Sequence, residues 1–207
     1  MKLATTPRKA PRQQRSLHTV EAILDAAARV FGRHGYADTT TNLVAETAGV
    51  SIGSLYQYFP NKDALIVALH RRHSLQMHSV MTTVLEGSSG ASLRENIAGL
   101  TRALLAAHLI EPTLHRMLER EFSFFDDQKD EAGPYSVVIR CVRGLLERHR
   151  EALVPENLDL ATYITLRTLE SLVHAAVLEP PRGASLPELE GAITDVIVGY
   201  LVGRRPA

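Results

Sequence analysis

The chain is predicted to be all-α, with an N-terminal three-helix domain built around a helix-turn-helix and a C-terminal helical domain. Three observations carry that prediction. Apolar residues recur at spacings of three and four through most of the sequence, no segment reads convincingly as a strand, and turn or capping residues stand between successive periodic stretches. The expected divisions are a disordered basic arm over residues 1–15, the helix-turn-helix domain over 16–61, a connecting helix over 62–85 and the second helical domain over 86–207. A chain of 207 residues can bury a substantial core without disulfides or metal.

The first helix is expected over residues 16–34, where Val20, Ile23, Leu24, Ala27, Val30 and Phe31 form one apolar stripe. Gly35 ends it, and Tyr36 is expected to pack back onto the small core. Thr39, Thr40 and Thr41 follow as candidate caps for a short helical stretch over 41–47, where Leu43, Val44 and the adjoining Ala48 stand at helical spacing. Gly49 supplies a residue able to take the left-handed conformation that stops a helix, so it is the elbow. Val50 can bury itself between two helices, and Ser51 can cap the backbone donors of the next one, which starts near Ile52. In that helix Leu55 and Phe59 point inward, while Ile52, Gly53 and Ser54 are slender enough for close backbone approach. Pro60 closes it and Asn61 can cap another. Lys62 then stands in a first turn, where a cation gains nothing from the helix dipole, so an external anion is expected there.

The run AETAGVSIGSLYQYFPNKDAL, residues 45–65, therefore encodes a helix, a tight turn, a second helix with an exposed start and a further helix start. This is a DNA-binding arrangement, since the exposed first turn can enter a major groove. The run resembles the TetR family of bacterial transcriptional regulators, with matches at Gly49, Val50, Ser51, Gly53, Leu55, Tyr56, Tyr58, Phe59, Asn61, Lys62, Asp63 and Leu65. The segment ILDAAARVFGRHGYADTTT, residues 23–41, is similar to that family's first helix, Gly-Tyr turn and threonine cap. The resemblance implies that Asn42, Ile52, Gly53, Ser54 and Gln57 face bases, and that Tyr56, Tyr58 and Lys62 hold the phosphate backbone. Thr41 and Ser51 would combine capping with anion contact at helix starts. The carboxamides of Asn42 and Gln57 suit an adenine edge and Ile52 a thymine methyl, which gives an expectation of A·T pairs.

Charge is distributed in keeping with that reading. The net charge is zero, yet residues 1–73 hold ten Lys or Arg against five Asp or Glu, and residues 74–207 hold thirteen against eighteen. Every charge before residue 16 is positive, in a stretch broken by Pro7 and Pro11. This arm is either a solvated tail or an extra phosphate or minor-groove contact. A single cysteine, Cys141, no apolar signal segment and no membrane-length apolar run lead to the expectation of a cytoplasmic protein with no membrane partner.

Beyond Leu65 the sequence predicts a helix to about residue 85, a break over 87–90, and helices over 92–108, 112–125, 134–149, 158–178 and 186–202. The last two carry wide apolar faces. Leu169, Leu172, Val173 and Ala176 on one, with Ile193, Val196, Ile197 and Tyr200 on the other, are expected to form the dimer interface, because the family resemblance implies a four-helix interface from this pair. The same resemblance implies a small-molecule effector enclosed by the second domain, with His108, Met117, Phe122, Phe125, Tyr163 and His174 as candidate lining residues. Most of these residue types serve equally as core.

Catalysis finds no support: there is no phosphate-cradling Gly-rich loop, no Gly-x-Ser-x-Gly elbow and no cysteine cluster. His70, His73 and His78 beside Met77, and Glu111, His115 and Glu119, lack the paired Glu-x-x-His motifs of a helical di-metal site, so neither metal nor cofactor is expected. The expected protein is a homodimeric repressor released from a palindromic double-stranded DNA operator by a small-molecule effector. The alternative is a helical small-molecule-binding or scaffold protein without sequence-specific DNA binding, against which the intact Asn42 and Lys62 speak.

Overall fold

The sequence punctuates itself with residues whose backbone preferences stop and start helices, and the chain folds accordingly. A computed structural model describes residues 14–87, 90–110, 116, 118 and 134–203. Among the described residues the regular structure is helical throughout: α1 Gln14–Asp38, α2 Thr41–Ala48, α3 Ile52–Tyr58, α4 Lys62–Gly87, α5 Leu93–His108, α6 Pro134–Arg148, α7 Leu158–Leu178 and α8 Leu186–Val202, with one 3-10 turn at Arg150–Ala152. The expected basic arm lies outside the described residues up to residue 13, and α1 begins two residues before the expected start. The helix expected over 112–125 also lies outside them, apart from Arg116 and Leu118, which are helical.

The chain divides into two compact units. The first holds α1, α2, α3, α4 as far as Ser74, and Leu118. Its core is the inward stripe of each helix: Ile23, Phe31, Val44, Leu55, Phe59, Leu65, Ile66 and Leu69, joined by Leu118. Gly35 sits inside α1 with φ 71° and ψ 180°, a break that only glycine takes without strain, and it turns the chain after the first helical stretch. The Thr39 hydroxyl donates to the Gly35 carbonyl at 2.6 Å, satisfying an acceptor that the break would otherwise orphan.

The second unit holds α4 from Leu75 onward and α5 to α8. Its core gathers Met81, Ile97, Leu100, Val142, Leu145, Leu166, Leu169, Val173, Ile193 and Ile197. Two capping boxes fix helix starts: Ser92 with Glu95 opens α5, and Ser185 with Glu188 opens α8. Asn157 caps α7 by accepting from the Leu160 N–H at 3.0 Å. Arg94 with Asp195, and Arg102 with Glu190, both at 2.6 Å, pin α5 against α8 in antiparallel register.

Candidate nucleic-acid interface

The first unit's function-bearing surface is set by how α2 and α3 are capped. Thr40 has extended backbone, φ −119° and ψ 151°, and its Oγ1 accepts from the Leu43 N–H at 3.2 Å. The cap is therefore Thr40, one position before the Thr41 that the family resemblance favours, and Thr41 is the first helical residue. Thr41 is left with its hydroxyl free of capping duty, and that hydroxyl is hydrogen-bonded to the Tyr56 hydroxyl at 3.0 Å.

At the other end of α2, Gly49 takes φ 67° and ψ 28°. Its N–H bonds the Glu46 carbonyl at 3.1 Å, and the Val50 N–H bonds that of Ala45 at 3.0 Å, the paired closure of a glycine-terminated helix. Ser51 then opens α3, its Oγ accepting from the Ser54 N–H at 3.0 Å. This placing of two caps within the three-residue turn Gly49–Val50–Ser51 gives α3 its angle to α2.

The turn sends Leu55, Tyr58 and Phe59 into the core and leaves Ile52, Gly53, Tyr56 and Gln57 outside. Ile52 is 37% exposed and Tyr56 41%, while Tyr58 is only 9% exposed. Tyr58, expected beside Tyr56 at the phosphate backbone, is thus a core ring, because residues 55, 58 and 59 fall on one helical face. Asn42 and Ser51 are exposed, and Thr41, Ser54 and Lys62 are half-buried.

Lys62 has an internal partner. Asn61 caps α4 by accepting from the Ala64 N–H at 2.8 Å, and the adjacent ammonium reaches the end of α1. It donates to the Tyr36 carbonyl at 2.7 Å and the Ala37 carbonyl at 3.3 Å, and lies 4.2 Å from the centre of the Tyr36 ring. The Tyr36 hydroxyl in turn donates to the Asp63 carboxylate. A cation in this first turn therefore does not need an external anion, because carbonyl oxygens left by the α1 break already receive it.

Sequence reasoning missed a second set of positioning residues. Arg72 donates to Asp25 at 2.7 Å and Glu21 at 3.3 Å, tying α4 to α1. The i, i+4 spacing of the two carboxylates is the sequence signal that one cation bridges both.

In the second unit, His108 is buried with its Nδ1 hydrogen-bonded to the Leu104 carbonyl at 2.7 Å, and its ring meets that of His174 edge-on at 5.1 Å. These two candidates come together. Tyr163 lies elsewhere, exposed, with the Arg167 guanidinium 5.9 Å from its ring and equally far from that of Tyr135. Met117, Phe122 and Phe125 lie outside the described residues.

The expected dimer set splits by helical face. Leu169, Val173, Ala176, Ile193 and Ile197 are buried in the protomer's own core, and Leu172 is half-buried against it. Val196 and Tyr200 face outward, 55% and 38% exposed. Core packing claims one face of each helix, so only the opposite face is open to a second copy.

Among the described residues no helix is long and apolar enough to cross a membrane. Residues 23–69 match the family described as bacterial regulatory proteins, tetR family, and residues 92–201 match the tetracyclin repressor-like C-terminal domain. The chain is 34% identical over 85 residues to the HTH-type transcriptional repressor Rv1474c of Mycobacterium tuberculosis, which covers 41% of this chain and 40% of that protein. It is 33% identical over 104 residues to the HTH-type transcriptional repressor AcnR of Corynebacterium diphtheriae, covering 50% of this chain and 52% of the other. The chain thus spans about half the length, or less, of these curated relatives. A putative TetR-family regulator from Mesorhizobium loti shares the fold, with a TM-score of 0.67 at 18% identity over 92% of this chain and 100% of that one.

Proposed function

We propose that this chain, which belongs to the TetR family of bacterial regulatory proteins, acts as a homodimeric repressor that leaves a palindromic DNA operator when a small-molecule effector binds its second unit. The observation that carries the reading is the outward face of α3. Ile52, Gly53, Tyr56 and Gln57 are exposed together on a helix whose start and angle are fixed by the Gly49 and Ser51 caps. An exposed, rigidly held helix of this kind fits a major groove, and Asn42 stands beside it at the start of α2.

Base edges are read by Asn42, Ile52, Gly53, Ser54 and Gln57, and phosphates are held by Thr41, Ser51, Tyr56 and Lys62. The Thr41–Tyr56 hydroxyl pair supports the phosphate role, since one hydroxyl donates to the other and the second keeps its own O–H for an anionic oxygen. Lys62 gives two of its N–H groups to carbonyls and keeps a third for a phosphate.

Two copies joined through the outward faces of α7 and α8, with Val196 and Tyr200 in contact, would set two α3 helices about 34 Å apart for successive major grooves. The effector acts on the second unit, and α4, which carries residues of both units, passes the change to the first. The reading places the protein in the cytoplasm with DNA and includes no catalytic step.

Selection of bound fragments from randomised duplex DNA, repeated at two salt concentrations, tests this function. Enrichment of an inverted repeat with spaced half-sites is the expected outcome. Binding without enrichment that vanishes at moderate salt would overturn it, leaving only electrostatic attraction to DNA.

A further inference from the structure

We infer that the cleft between the end of α4 and α6 is a binding site for a small zwitterion, an amino acid or short peptide with an apolar side chain. The inference stands apart from the reading of α3 and is tested without DNA.

The cleft has a volume of about 320 Å³, at the small end of the ~300–1,000 Å³ of ligand pockets, and is lined by Leu85, Glu86, Gly90, Cys141 and Arg148. All of these belong to the second unit. None is among the residues that the sequence offered for an effector site. The floor is apolar, since Leu85 is buried in the second unit's core and Cys141 is half-buried against it. Glu86 and Arg148 are exposed and form the rim. Gly90, held at φ 101°, adds backbone without a side chain.

The charges on the rim carry the inference. Glu86 stands in the last turn of α4, where the helix dipole disfavours an anion and no basic residue offsets it. Arg148 ends α6, where the dipole favours a cation. The two line one cleft, yet no ion pair joins them, and neither side chain has a hydrogen bond or ion pair among the described residues. Lys62 met the same conflict with its helix dipole and resolved it through the Tyr36 carbonyl, whereas Glu86 has no such partner.

A molecule bearing both charges answers both residues at once. Its ammonium donates to the Glu86 carboxylate, and its own carboxylate accepts from the fork of the Arg148 guanidinium. Carrying the two charges on one ligand incurs the entropy of association once. An apolar side chain then covers the Cys141 sulfur and Leu85, which a purely ionic ligand would leave in water.

Cys141 is the chain's only cysteine, so its alkylation by iodoacetamide reports occupancy of the cleft. Rates are measured on the whole chain with L-leucine, with leucylglycine, and with the two half-molecules 4-methylpentanoate and 3-methylbutylamine, each titrated to about 20 mM to fill a site of millimolar affinity. Leucine or leucylglycine is expected to slow alkylation about fivefold or more, and the half-molecules to leave it within about 1.5-fold. Which of the first two protects identifies the source, a free amino acid or a peptide. Glu86→Gln and Arg148→Gln, both at exposed positions, should each abolish protection relative to that variant's own rate without ligand, with circular dichroism unchanged. If the thiol reacts too slowly to time, the same comparisons are read from the thermal midpoint, expected to rise about 2 °C or more with the protecting ligand. Equal protection by either half-molecule would overturn the zwitterion assignment, and protection that persists in both variants would overturn the rim. No effect of leucine or leucylglycine on either readout would overturn the site itself.

Discussion

The ammonium of Lys62 donates to the carbonyl of Tyr36, 26 residues earlier in the chain, at 2.7 Å. One side chain thus joins the first turn of α4 to the break in α1, while the Tyr36 hydroxyl returns the link through Asp63. Lys62→Ala should remove both the link and a phosphate contact. About 1 kcal/mol of stability is expected to go, given charge-assisted bonds at a half-exposed site. The salt slope of DNA binding should flatten by about one charge. Denaturant unfolding and affinity at several salt concentrations separate the two effects. Equal salt slopes in wild type and variant would leave Lys62 a purely internal clamp.

Gly49 should tolerate no side chain. At φ 67° an L-residue sets its Cβ against the following carbonyl, so Gly49→Ala is expected to destabilise the first unit by about 1–2 kcal/mol. Space around it is open, which leaves backbone conformation as the whole cause. Gly49→Asn, a residue that visits this region more readily, should recover part of the loss in denaturant unfolding. Equal losses for both variants would point to a cause other than φ.

These two residues also show what was legible in the sequence. Gly49 and Ser51 could be read in place because each backbone role has a residue that fills it almost alone. Thr40 and Thr41 could not be told apart, since three adjacent threonines offer the same cap chemistry. The inward turn of the Tyr58 ring is implicit in its spacing from Leu55 and Phe59. The Lys62–Tyr36 bond had no local signal, because contacts between distant segments depend on how α1 and α4 pack. On α7 and α8 apolar residues surround the helix, so periodicity could not separate the face used by the protomer from the face left over.

That separation yields a sharp contrast between neighbouring residues. Val196 is 55% exposed and Ile197 1% exposed on the same helix. Val196→Glu is expected to yield a folded monomer, since two carboxylates would meet across the twofold axis without cost to the protomer core. Ile197→Glu should instead unfold the second unit by burying an unpaired charge. Sedimentation velocity and far-ultraviolet circular dichroism distinguish the two. A Val196→Glu dimer as stable as wild type would move the interface away from this face.

His78 is expected to make the second unit sensitive to acid. Its imidazole is half-buried beside the Tyr135 ring at 5.4 Å, and its Nδ1 is buried without a hydrogen-bond partner among the described residues. Burial holds its pKa below the ordinary imidazole value, because the cation loses water and gains nothing in return. The unfolded chain therefore takes up this proton first as pH falls. Stability contributed by the neutral ring is complete above the ordinary value near 6.5, declines below it, and levels off once the folded form also protonates. His78→Phe keeps a ring against Tyr135 and removes the titration. The wild-type unfolding midpoint should fall more than the variant's between about pH 7.5 and pH 5, a difference that cancels the other histidines. Parallel profiles would mean that the imidazole is hydrated in solution, and that its orphaned nitrogen is met by water.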